Sequence, residues 1–219
     1  MMHLAHVRVP KTGSSHIWST LLVRDHWDDE VTLCGGHFRV SEILDDHDHT
    51  WVTSVRDPYQ MSISMFYMMR RHSSVPGFDA NQAARVAKDP TKRNRFVHTP
   101  HYLSHLALAR DPDTTVEDWL ENFVPNHGLG YHFDALSPSD FDVVLHCDEM
   151  ERSDMLLVNI LGCQQFPWHE NVNPNKTVGA RYPEAQFTEA MFRKRNELEY
   201  EMFDLGMERF HALCKQHGV

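Results

Sequence analysis

The stretch HLAHVRVPKTGSSHIWSTLL, from His3 to Leu22, decides how this chain is read. An apolar run suited to a strand ends in a turn at Pro10 to Gly13, and Ser14 and Ser15 then precede the apolar spacing Ile17, Leu21, Leu22 of a helix. Such a strand–turn–helix aims backbone N–H groups and the Lys11 ammonium at one point above the strand, which is how proteins hold a phosphate or a similar oxyanion. The bland alternative is an ordinary turn. Lys-Thr-Gly is common turn composition, and the stretch lacks the G-x-x-x-x-G-K-S/T spacing of the ordinary phosphate loop.

A second junction of the same form lies downstream. Trp51 to Val55 is β-branched and aromatic enough for a buried strand. It runs into Arg56-Asp57-Pro58-Tyr59-Gln60, where Asp57 is suited to an N-cap, Pro58 to the first helical position and Gln60 to the capping-box spacing. The helix runs from Met61 to about Arg71, which fixes Arg56 at the mouth of the sheet and puts Ser64 about two turns along. In a parallel α/β sheet both junctions fall on one edge, where ligands bind. The alternative for Arg56 is an ion pair with Asp57 or a helix-terminal contact, and for Ser64 a small helix residue.

Between these junctions, Val31 to Leu33 reads as a short strand leading into Cys34-Gly35-Gly36-His37, which sets His37 at a strand end facing a cleft. Val40 to Leu44 suggests a short helix. Further along, Tyr102 to Ala109 and the Thr115-Val116-Glu117-Asp118 start read as helices, Asn126 to Ser139 as a surface connection, and Phe141 to His146 as a strand. Met150 to Leu161 is its helix, ended by Gly162. One long helix is expected from about Phe187 to Lys215, with Leu198, Met202, Phe203, Leu205, Met207, Phe210 and Cys214 on its apolar face. The run Lys88, Lys92, Arg93, Arg95 either closes over an anion or is a solvated loop.

With 219 residues the chain can bury one good-sized core, so a single domain over residues 1–219 is expected. A net charge of −10 excludes a general nucleic-acid binder and makes each turn cation more informative, since an anion must be drawn in against the field of the whole protein. The four cysteines form no C-x-x-C pair and read as reduced thiols. The seventeen histidines show no metal-ligand spacing, so no metal site is expected. No apolar window is long enough to span a bilayer and the N-terminus carries no leader, so the expected location is cytoplasmic.

Pro10-Lys11-Thr12-Gly13-Ser14-Ser15 after the first strand resembles the 5′-phosphosulfate loop of the sulfotransferases, closest to the carbohydrate and heparan-sulfate branch. Arg56-Asp57-Pro58 followed by Ser64 is similar to that family's 3′-phosphate motif, and Gly36-His37-Phe38 to its histidine-containing segment. Asp148-Glu149-Met150 and the helix after it resemble the downstream part of the fold. Two features depart from the pattern: Met61 stands where many relatives carry a second arginine, and Gly-Ser-Ser where Gly-Gly-Thr or Gly-Ser-Thr is frequent.

The resemblance implies a three-layer, P-loop-like α/β fold with a central parallel sheet flanked by helices; residues 73–140, which supply aromatic residues without the period of a core strand, are expected to form a helical and loop insert that shapes acceptor binding. It implies transfer of a sulfuryl group from 3′-phosphoadenosine 5′-phosphosulfate to a hydroxyl on a carbohydrate or small molecule, leaving adenosine 3′,5′-bisphosphate. His37 would be the base and Lys11 the electrostatic catalyst. Lys11, Thr12, Gly13, Ser14 and Ser15 would cradle the 5′-phosphosulfate, Arg56 and Ser64 would hold the 3′-phosphate, and Lys176 would approach the nucleotide. The rival readings are a magnesium-dependent nucleotide or metabolite kinase and a nucleotide-binding protein without catalysis. Oligomeric state is not readable from the sequence.

Overall fold

The computed structural model describes residues 2–22, 31–37, 39–43, 48–73, 100–122, 128–163 and 189–219. Lys176, the basic run at 88–95 and the polar segment 171–183 lie outside them. At the centre is a parallel sheet of four strands in the order β2-β1-β3-β4: β1 Met2–Val7, β2 Val31–Gly36, β3 His49–Val55 and β4 Val143–His146. Leu4, Ala5, Val7, Val52, Val55, Val143, Val144 and Leu145 are fully buried, so the inner strands read as unbroken apolar runs, as a sheet covered on both faces requires.

The helix after β1, α1 (Ser14–Leu22), packs on the face that carries His6 and Gly35. Its Trp18 ring lies 6.0 Å from the His6 ring, and a Cβ on Gly35 would overlap that indole. Strand β2 runs on through both glycines to Gly36 instead of stopping at Leu33, because they pair with His6 and Val7 of β1, and only glycine is small enough at 35 beneath Trp18. On the other face lies the C-terminal helix, whose Gly206 sits so close to β3 that a Cβ there would stand 2.7 Å from Val55 Cγ1. The sheet is thus flanked by helices, and the fold is mixed α/β.

Helix α2 (Pro58–Ser73) starts where its cap predicts, with the Gln60 N–H donating to Asp57 Oδ1 at 2.8 Å. It packs on α3 (Pro100–Arg110) and α4 (Val116–Asn122) around a second apolar cluster centred on Trp119, whose indole N–H donates to Ser62 O at 3.0 Å. Met61, which the resemblance would have as an arginine, is 2% exposed and belongs to the main core.

Four expectations are corrected. The segment 126–139 is not a surface connection throughout. It holds a short helix, α5 (Leu129–His132), whose Leu129 and His132 are fully buried, because Glu199 accepts hydrogen bonds from the Leu129 and Gly130 N–H groups at 2.6 and 3.2 Å. After α6 (Met150–Leu161), which ends at left-handed Gly162 as expected, the C-terminal helix is two: α7 (Glu189–Arg195) and α8 (Glu197–His217). The break is at buried Asn196, whose backbone leaves the helical region (φ −125°, ψ 41°) while its side-chain amide donates to the Phe192 carbonyl at 2.8 Å. Leu198 lies just after this break and is 59% exposed instead of joining the apolar face. Residues Val40–Glu42 form a 3₁₀ turn and not a longer helix. No helix among the described residues is long and apolar enough to cross a membrane.

Candidate functional site

Register brings the chemistry to one edge of the sheet. Val7 of β1 pairs with Gly36 of β2 and with Thr53 of β3, and Val55 of β3 pairs with His146 of β4. The residues just beyond these pairs therefore line up across the carboxyl edge in the order His37, the 8–13 loop, Arg56, then Cys147 and Asp148. The chain leaves β1 for β2 on one side, and then crosses from β2 to β3 on the other side of β1; ligands of open α/β sheets bind in the crevice at such a switch point.

The loop itself is built under constraint. Lys11 has φ 66° and Gly13 φ 76°, both left-handed, so the Pro10–Gly13 turn folds back over the end of β1. Left-handed backbone is ordinary for glycine and strained for lysine, which places local strain at a functional candidate. Fully buried Thr12 pins the turn: its hydroxyl donates to the Val9 carbonyl at 2.8 Å and shares a 2.7 Å hydrogen bond with Ser54 Oγ. A Cβ on Gly13 would stand 2.6 Å from the Met150 methyl, so α6 presses directly on the turn. Ser14 and Ser15 open α1, and N–H groups of a first helical turn have no acceptor within their own helix.

Arg56 reaches into the same crevice. It is 7% exposed, its Nη1 donates to the Lys11 carbonyl at 3.3 Å, and its Nη2 lies 3.6 Å from Asp148 Oδ1. Its Nε is buried and makes no hydrogen bond among the described residues. Its close acidic contact is Asp148; Asp57 caps α2 and feels the Arg56 charge only as a minor pull on its carboxyl.

On the far side of the loop, His37 Nδ1 lies 2.6 Å from the Arg8 carbonyl. A carbonyl oxygen only accepts, so Nδ1 carries the proton and Nε2 keeps the lone pair in the neutral ring. Burial, then the neighbouring Arg8 charge, push the His37 pKa down to about 4, against the opposing pull of that hydrogen bond. His37 is therefore neutral at pH 7, the form in which a histidine accepts a proton.

Sequence reasoning passed over Arg8, Ser54 and Asp148. Arg8 donates to Ser15 Oγ at 3.3 Å, stacks 5.6 Å from the Trp18 ring and has its Nε buried without a hydrogen-bond partner among the described residues. Burial lowers its pKa. The signal for it was present, a cation directly after an apolar strand in an acidic chain.

His37, Lys11 to Ser15 and Arg56 thus come together at one sheet edge. Ser64 is buried on α2, 6% exposed, and no hydrogen bond among the described residues joins it to Arg56. Lys176 is outside the described residues. No group of three or more metal-ligating side chains gathers among those described. The Lys11–Ser15 turn, Arg8, Arg56 and a helix start share a sheet edge with a neutral imidazole, a set of groups suited to an oxyanion. Comparison of the chain with protein-family models, curated proteins and solved structures found no match.

Proposed function

We propose that this chain is a sulfotransferase with a three-layer, P-loop-like core, which moves a sulfuryl group from 3′-phosphoadenosine 5′-phosphosulfate to a hydroxyl of a carbohydrate or small molecule. The observation that carries the reading is the 3.3 Å contact between Arg56 and the Lys11 carbonyl, which joins two motifs 45 residues apart in one cationic crevice. A two-headed donor, with phosphosulfate at one end and a ribose phosphate at the other, matches two adjacent cationic subsites.

In the proposed reaction the acceptor oxygen attacks sulfur, the bond between sulfur and the 5′-phosphate oxygen breaks, and the acceptor proton passes to His37 Nε2. Adenosine 3′,5′-bisphosphate leaves with the electron pair of the broken bond. Lys11 and the N–H groups of Thr12 to Ser15 would stabilise charge on the transferring group and on the leaving oxygen, and holding both substrates in line supplies much of the rate.

Calorimetric titration tests this, with adenosine 3′,5′-bisphosphate, adenosine 5′-monophosphate, and ATP with and without magnesium as ligands. Selective, metal-independent binding of the bisphosphate, lost in Arg56→Ala, is the expected result. Losing a charge-assisted bidentate contact should weaken binding by about tenfold or more. Tighter magnesium-dependent ATP binding would instead identify a kinase, and selective bisphosphate binding without turnover on any acceptor a non-catalytic nucleotide-binding protein.

A further inference from the structure

Resting on the donor reading above, we propose that Asp148 makes the Arg56 subsite specific for a phosphate that has a free hydroxyl on the neighbouring carbon, as in a ribose 3′-phosphate with its 2′-OH intact. The pairing of Val55 with His146 puts Arg56 and Asp148 side by side at the ends of β3 and β4. Their geometry is not that of a closed ion pair. Nη2 and Oδ1 are 3.6 Å apart, whereas charge-assisted N–H···O bonds run at about 2.7–2.9 Å. The guanidinium is buried while the carboxylate is half exposed, its side chain 50% accessible, and no hydrogen bond to it is made among the described residues.

Both partners therefore keep hydrogen-bonding capacity in hand. Arg56 keeps its buried Nε, which is without an acceptor among the described residues, and Asp148 keeps acceptor oxygens facing the crevice. A phosphate docked on Arg56 must lie beside the Asp148 carboxylate, and two anions at that distance repel. The repulsion is offset when the ligand offers a donor next to its phosphate. A vicinal hydroxyl does this, donating to Asp148 while the phosphate takes the guanidinium. A 2′-deoxy ligand meets the repulsion and returns nothing for it, and an isomer carrying phosphate at the 2′ position interchanges the two groups. A site that hydrogen-bonds a hydroxyl rejects the analogue lacking it more strongly than an apolar pocket can.

The test is a double-mutant cycle between protein and ligand. Adenosine 3′,5′-bisphosphate and 2′-deoxyadenosine 3′,5′-bisphosphate are each titrated into wild type, Asp148→Ala and Asp148→Asn, with thermal melts as the check on folding. We expect wild type to prefer the hydroxyl-bearing ligand by about tenfold or more, and Asp148→Ala to bind both within about twofold, largely by gaining affinity for the deoxy ligand. Asp148→Asn, which retains an acceptor without the charge, should fall between. Equal binding of the two ligands by wild type, or a preference that survives in Asp148→Ala, overturns this inference while leaving the bisphosphate pocket standing. Failure of wild type to bind the bisphosphate at all overturns the donor reading and this inference with it.

Discussion

His37 concentrates the chemistry of one residue into two measurable consequences. Its Nδ1–H is committed to the Arg8 carbonyl at 2.6 Å, which leaves Nε2 as the basic atom, and burial together with the Arg8 charge holds its pKa near about 4. His37→Ala should lower turnover on a competent acceptor by about a hundredfold or more while leaving bisphosphate affinity unchanged, since the imidazole serves the transferred proton and not the donor's phosphates. A parallel loss of affinity would show that it is a donor contact and not a base. Because the neutral form is the active one, kcat/KM should hold as pH falls through the ordinary histidine range and drop only towards about 4. Arg8→Gln removes one cause of the depression, so it should move that acid limb upward.

The element that ties the site together is the strand–turn–helix over β1 and α1, and its distinctive feature is a lysine where the backbone wants a glycine. Lys11→Gly and Lys11→Ala both remove the ammonium, yet only glycine relaxes at φ 66°. The left-handed penalty of about 1–2 kcal/mol for a residue with a Cβ exceeds the roughly 0.5–1 kcal/mol that glycine costs through backbone entropy. Lys11→Gly should therefore melt at a higher temperature than Lys11→Ala, with both binding the bisphosphate weakly; the reverse order of melting would show the turn to be unstrained. The turn, the Asp57 cap and the Gly162 stop were legible in the sequence because each rests on a local rule that tertiary contacts did not override. The helix at Leu129–His132 was not legible, since what fixes it is the Glu199 carboxylate from a distant helix. Asp148 and Ser54 were missed for a similar reason. Their relation to Arg56 and Thr12 comes from strand register, which no local pattern encodes.

At the scale of the whole molecule, buried ionisable groups set opposing limbs of stability against pH. His6 is fully buried, and burial, then the charges of Arg8 and His37, push its pKa down to about 3. A base depressed in the folded state contributes stability that is complete above its unfolded pKa of about 6.5 and is lost as pH falls through the folded value. His6 and His37 therefore both weaken the fold on acidification from about 6.5. Glu199 acts with the opposite sign: burial pushes it up to about 7 against the two N–H groups it accepts from, so the fold weakens as pH rises from about 4.5 to about 7. Burial also lowers the pKa of His146, on the rising side, and raises that of Asp57, on the falling side, so three rising limbs run against two and stability climbs with pH up to the ordinary histidine range. Each unit between folded and unfolded pKa is worth about 1.4 kcal/mol, enough to read in a thermal melt. Melting curves from pH 4 to 9 should climb from the acid side, decline slightly towards pH 7 and then run level. His6→Leu should flatten the acid side and Glu199→Gln the decline towards neutrality, judged by slope and not by absolute melting temperature. An acid limb unchanged in His6→Leu would mean that this ring takes up its proton as readily in the fold as in the unfolded chain. The orphaned nitrogens of His6, both buried without a hydrogen-bond partner among the described residues, make the opposite expectation, because a charged imidazole there would have nothing to donate to.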